Sequence, residues 1–257
     1  MAYASFSCTA LVGTNKVGLL QKDADGYYDV VLGALDYFNS RGDFYPLATA
    51  KRLFESSSIL MRRIKGGNLR GECGHPRKLP GQSMPEYIHR ILDINEPTVS
   101  HHIREVWIDD KSMKDDNGRP IVLVRGWVRP AGLHGAGLQK ALDNKHENVC
   151  FSIRSLTRDV LTPTGTYIKN LEEIITWDWV NEPGINVANK FGHPSLENMM
   201  SDVVFTDSHL RAVRDLQHAD TCGLESRGGL SVESLISSLQ WETPVDSMVV
   251  LPASSKW

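Results

Sequence analysis

The sequence predicts a mainly β chain of the α+β class. Three observations point that way. Apolar and polar residues alternate in most of the structured-looking segments, helical spacing is read in two stretches before residue 195, and turn residues separate the alternating runs.

Taken in order, Thr9 to Leu20 and Tyr27 to Tyr37 read as strands joined by a turn at Lys22-Asp23-Ala24-Asp25-Gly26. Asn39-Ser40-Arg41-Gly42 is a loop. From Pro46 to Arg63, Leu47, Ala50, Leu53 and Phe54 recur at helical spacing, with Pro46 tolerated in the first turn and Gly66-Gly67 as the stop. Leu69 to Gly74 is a short β segment that runs into His75-Pro76. Ser100 to Asp109 alternates and Pro120 to Val128 is valine-rich, with Gly118 in Asp115-Asp116-Asn117-Gly118 marking a hairpin turn between them. Ala131 to Asn144 reads as a helix with Leu133, Leu138, Ala141 and Leu142 on one face. Asn148 to Ser155 and Glu173 to Val180 read as two further buried strands.

Past Pro194 serine, aspartate and glycine rise and apolar periodicity weakens. Residues 1–195 are therefore expected to form the folded domain. Residues 196–257 read as a loosely attached C-terminal extension, with a helix near Thr206 to Ala219.

A chain of 257 residues with 41% apolar and 23% charged residues is ordinary for a globular protein. Its formal net charge of −3 offers no basic face for nucleic acid, and Arg62-Arg63-Ile64-Lys65 and Arg77-Lys78 are too short to track phosphates. No run approaches the roughly 20 apolar residues that cross a bilayer, and Met1 to Leu20 lacks the pattern of a secretory signal. Cys8, Cys73, Cys150 and Cys222 are scattered without a CxxC pair, which suits a reducing cytoplasm.

Three segments could carry chemistry. In Gly71-Glu72-Cys73-Gly74-His75-Pro76 a histidine sits on a stiff turn at a strand end, where it could exchange a proton at neutral pH or simply make a loop hydrogen bond. Alternation in Val149 to Ser155 puts Cys150, Ser152 and Arg154 on one face, opposite Val149, Phe151 and Ile153. That face could hold an activated serine with an arginine nearby for developing negative charge, or it could be solvated. Asp178, in the apolar run Ile174 to Val180, needs a partner: a histidine, as the acid of a triad, or an arginine. No Gly-x-Ser-x-Gly elbow, P-loop or His-Glu-x-x-His pair is present, and Gly132-x-x-Gly135-x-Gly137 has the wrong order for a dinucleotide site.

Together these segments resemble the prohead core proteases of tailed phages, which are related in fold to the herpesvirus assembly protease, assemblin. The resemblance spans most of residues 1–195. It rests on Asn39 to Tyr45 ending in Tyr-Pro, Gly71-Glu72 with Gly74-His75-Pro76, Val99-Ser100-His101, Gly126 to Leu142, Phe151-Ser152-Ile153-Arg154-Ser155 at the Ser-x-Arg position, and Trp177-Asp178-Trp179-Val180 with Pro183. Ser155 departs from the glycine many relatives carry there.

The resemblance implies a mostly antiparallel β-barrel surrounded by helices, and a serine endopeptidase with Ser152 as nucleophile, His75 as base and Asp178 as acid. Glu182 is the reserve for the acid, and Arg154 would support the oxyanion. It implies no cofactor or metal, and a place of action inside the viral prohead in the host cytoplasm. The partners would be capsid, scaffold and core proteins, cut after motifs ending in glutamate, with no nucleic acid or membrane partner. Gly223-Leu224-Glu225 and Ser231-Val232-Glu233 are such motifs, so the extension is expected to be trimmed by self-cleavage at Glu225 or Glu233. A homo-oligomer stays open, since the herpesvirus enzymes work as dimers. Three other readings remain: a cysteine protease using Cys150, a non-enzymatic prohead structural protein, and a zinc site among Cys73, His75, His101 and His102.

Overall fold

The computed structural model describes residues 3–10, 20–39, 41–114, 118–181, 203–220 and 232. Its elements run β1 (Tyr3–Ala10), β2 (Tyr28–Leu35), β3 (Tyr37–Phe38), β4 (Phe44–Tyr45), α1 (Leu47–Ala50), α2 (Ile59–Lys65), β5 (Arg70–Glu72), α3 (Met84–Leu92), β6 (Val99–Asp109), β7 (Val122–Pro130), α4 (Gly135–Asp143), β8 (Cys150–Leu161), β9 (Tyr167–Val180), β10 (Val203–Thr206) and α5 (Asp207–Asp220). Of the expected first strand, Thr9 to Leu20, residues 11–19 lie outside the described residues, as do 115–117 of the expected hairpin turn.

The α+β class stands, with strands that are mostly antiparallel. They form a six-stranded sheet in the order β10-β1-β8-β9-β4-β3 and a four-stranded sheet in the order β2-β7-β6-β5. The expected closed barrel is not found among the described residues. At one corner Cys73, just past β5, bridges to Trp179 of β9. Among the described residues β2 pairs with β7 and, through Tyr28, with Lys22, while β3 pairs with β4, so no ladder joins β2 to β3.

Alternation in β8 and β9 decides the layering. One face sends Phe151, Ile153 and Trp177 into the main core, against Leu32 of β2, Ile103 and Val106 of β6, Val128 of β7 and Leu138 of α4. The other face carries Leu156 and Ile175 into a second core with Tyr87, Ile88, Ile91 and Leu92 of α3, Leu210 and Val213 of α5, and Val232. Part of the segment read as an extension thus lies on the domain: β10 pairs with β1, α5 packs on α3, and the Val232 N–H donates to Gln217 Oε1 at 3.0 Å.

The helix expected from Pro46 to Arg63 is broken. α1 passes into a 3-10 turn at Lys51–Phe54, the chain extends at Glu55, and Ser58 caps α2 by accepting the Met61 N–H. The serine run Ser56-Ser57-Ser58 is the cause, because short hydroxyl side chains compete for backbone groups and favour caps over helix interiors. α4 begins only at Gly135, so Leu133, expected on its apolar face, sits before it and is 78% exposed. No described helix is long and apolar enough to cross a membrane.

Candidate active site

β8 and β9 pair antiparallel with Ser152 directly opposite Asp178. Facing residues on one side of such a pair hold their Cβ atoms about 5 Å apart, too far for a short hydroxyl to reach a carboxylate but suited to one ring between them. His75 is that ring. It follows β5 in a loop pinned at three places. Cys73 N–H donates to Thr98 O, Gly74 N–H to Trp179 O at 2.7 Å, and Tyr87 Oη–H to Pro76 O at 3.1 Å. Gly74 turns at a φ of 78°, where a side chain would be strained.

The His75 ring, 4% exposed, joins the two strands: Nδ1 lies 2.8 Å from Asp178 Oδ2 and Nε2 lies 2.6 Å from Ser152 Oγ. A carboxylate only accepts hydrogen bonds, so Nδ1 carries the proton and Nε2 accepts from the serine hydroxyl. A hydroxyl, an imidazole and a carboxylate in this sequence of bonds can remove a proton from the serine and hold the resulting imidazolium.

Asp178 is fully buried and receives four donors: His75 Nδ1, the Glu72 N–H at 3.0 Å, and Arg154 Nε and Nη2 at 2.9 and 2.8 Å. Burial opposes its charge, but Arg154 and then the hydrogen bond from His75 outweigh burial and hold the carboxyl well below the usual carboxylate range. Arg154 is spent in this task. Besides Asp178 it donates to Ile91 O and Asp93 O at 3.3 and 3.0 Å and lies 3.1 Å from Glu72 Oε1, so each of its five N–H groups has an acceptor. The two carbonyls belong to the end of α3, where a helix favours a cation.

Around these residues lie groups that sequence reasoning missed. Glu72, read only as the neighbour of the histidine, is buried and accepts from Arg90, Asn95 N–H and Thr98 Oγ1–H as well as facing Arg154. α3, which supplies Arg90, Tyr87 and the carbonyls on Arg154, was missed altogether. Its signal is in the chain: Ser83-Met84-Pro85-Glu86 forms a capping box, followed by apolar residues at helical spacing.

The remaining candidates separate from the cluster. Cys150 is fully buried on the same strand, two residues before Ser152, and the His75 ring points its Nε2 at the serine. His101 is buried against Phe151, its Nδ1 2.8 Å from Ser100 Oγ, and burial pushes its imidazole down to about 4. His102 faces Tyr27 Oη and Gly67 O instead. Among the described residues no three His, Cys, Asp or Glu side chains gather as metal ligands. Glu182, Glu225 and Glu233 lie outside the described residues.

The model of the Peptidase S80 family matches residues 6–235. The capsid maturation protease of Pseudomonas phage phiKZ is 38% identical over 238 residues, which cover 90% of this chain and 86% of that protein. Among solved structures, that of the bacteriophage T4 capsid assembly protease, gp21, matches with a TM-score of 0.47 and 13% identity, covering 69% of this chain and 98% of that one.

Proposed function

The chain belongs to the Peptidase S80 family, and from that premise we propose that it is a serine endopeptidase of prohead maturation, with Ser152 as nucleophile, His75 as general base and Asp178 as the acid that orients it. One observation carries the reading: the unbroken chain of bonds from Ser152 Oγ through His75 to Asp178, at 2.6 and 2.8 Å.

In this mechanism His75 Nε2 takes the Ser152 proton as Oγ attacks the scissile carbonyl carbon, giving a tetrahedral intermediate and, on collapse, an acyl-enzyme. The imidazolium returns its proton to the leaving amine, and neutral His75 then activates a water that releases the acyl group. Asp178 stays ionised throughout. The contacts of Arg154 favour support of the acid over the oxyanion role expected for it. The substrates are capsid, scaffold and core proteins cut after glutamate inside the prohead, and the chain trims itself at Glu225 or Glu233.

Intact-mass spectrometry on wild type and Ser152→Ala, each incubated with a peptide containing Gly-Leu-Glu-Ser, tests the reading. Cleavage after glutamate by wild type alone supports it. Equal cleavage by both proteins removes Ser152 as nucleophile, and loss of cleavage in Cys150→Ser alone would hand the role to Cys150.

A further inference from the structure

Behind the hydroxyl-imidazole-carboxylate chain lies a buried lattice of alternating charge. Asp178 faces Arg154, Arg154 faces Glu72, and Glu72 faces Arg90, with Arg154 2.8 Å from Asp178 Oδ1 and 3.1 Å from Glu72 Oε1. A guanidinium bound to Asp178 alone would cancel most of the field that this carboxylate exerts on His75. Here the same guanidinium is shared with a second carboxylate. Glu72 is itself anchored by the main chain at Asn95, by Thr98 and by Arg90, so it cannot swing away. Its own N–H also fixes Asp178 Oδ1.

We propose that Glu72 is a positioning residue: it draws the charge of Arg154 away from Asp178, so that Asp178 keeps its hold on the imidazolium formed at His75. The charged groups that bear on His75 are Asp178 from β9, Arg154 from β8, Glu72 from β5, Arg90 from α3, and the exposed Arg77 and Lys78 of its own loop. Of these, Glu72 and Arg90 act in opposite senses and touch neither the serine nor the histidine. The inference rests on the reading of Ser152, His75 and Asp178 as a catalytic set.

The test measures the rate at which a fluorophosphonate labels the full chain as a function of pH, in wild type, Ser152→Ala, Glu72→Gln and Arg90→Gln. This readout needs no knowledge of the peptide substrate. Removing the anion at Glu72 disfavours the imidazolium. The acid limb of the Glu72→Gln profile then moves about one unit to lower pH, and the plateau rate falls about tenfold. Removing the cation at Arg90 leaves Glu72 leaning wholly on Arg154, and the limb moves to higher pH.

Labelling of Ser152→Ala at the wild-type rate overturns the parent reading and the inference with it. An inert Ser152→Ala beside Glu72→Gln and Arg90→Gln profiles that lose height without moving overturns the inference alone, leaving Glu72 a packing residue. Should Glu72→Gln fail to fold by circular dichroism, the direction of the Arg90→Gln shift decides, because Arg90 is partly exposed.

Discussion

Replacing Arg154 by methionine keeps most of the side-chain volume and deletes every bond that holds Asp178 from behind. The change takes two of the four donors from the buried Asp178 carboxylate, weakens the hold on Glu72, and leaves the carbonyls of Ile91 and Asp93 without their shared donor. Taking one partner from a buried ion pair costs about 3–5 kcal/mol, and the stranded Ile91 carbonyl adds about 1 kcal/mol, while the Asp93 carbonyl keeps its bond from Arg90. Arg90 and the N–H of Glu72 recover part of this, so the expected loss at pH 7 is about 5 kcal/mol. That is a large share of the roughly 5–15 kcal/mol of a typical domain, and it lowers Tm by about 10–20 °C in a chain of this size.

The sign of the pH dependence follows from Asp178. Its carboxyl is held down in the folded protein, so in wild type it contributes stability that is present above about pH 4, its unfolded value, and is lost only as pH falls through the folded one. Without Arg154 the carboxyl is protonated more easily, and the deficit of the variant narrows between pH 7 and about pH 4.5. Urea unfolding at both pH values reads this directly. A variant within about 1 kcal/mol of wild type at pH 7, or one with the same deficit at both pH values, refutes the account of Arg154 as the anchor of Asp178.

Four further outcomes are expected. Gly71→Ala places a Cβ 2.0 Å from Trp177 O and 2.3 Å from the His101 ring, so the strand must shift, and a thermal melt should show a loss of about 3 kcal/mol or more. Ser83→Ala removes the capping box of α3 and costs about 1 kcal/mol in urea unfolding, with a larger effect contradicting a purely local cap. Burial pushes the Glu173 carboxyl up to about 7 against the Ile174 N–H and Arg63, so wild type loses stability as pH rises from about 4.5 to 7. Glu173→Gln should be free of that loss and gain on wild type across this window, by on the order of 3 kcal/mol, whereas a pH-independent difference would remove Glu173 as the cause. Leu133→Ser, on an exposed side chain, should leave the unfolding free energy in urea unchanged within about 0.5 kcal/mol.

Much of the site was legible because its parts are local. Period-two alternation alone puts Ser152 and Arg154 on one strand face, and a carboxylate inside Ile174 to Val180 announces a buried partner. The fold brings His75, Ser152 and Asp178 within hydrogen-bonding reach. What alternation cannot state is which partner Asp178 finds, and here it finds both the histidine and the arginine. Glu72 stayed hidden because its partners come from elsewhere in the chain, Arg90 from a helix 18 residues on. Apolar spacing alone extends one helix from Pro46 to Arg63, whereas the serine run breaks it into α1 and α2. Barrel closure depends on pairing between distant edges, which no local pattern encodes, and among the described residues no ladder joins the two sheets into a closed wall.

The separation of the three residues along the chain also sets a clock. His75 lies 77 residues before Ser152 and 103 before Asp178. Contacts of such long range form late in folding, after the entropy of closing large loops has been overcome. At about 5–20 residues per second, a ribosome takes roughly 5–20 s to travel from His75 to Asp178. Throughout that interval the nascent chain carries a histidine and then a serine with no acid to join them. A slip of one residue between β8 and β9 would turn Asp178 to the opposite face of the sheet from Ser152. Assembly of the bonded set is therefore a report that the hairpin is in register and β5 has docked, which would tie the proposed activity to completion of the fold.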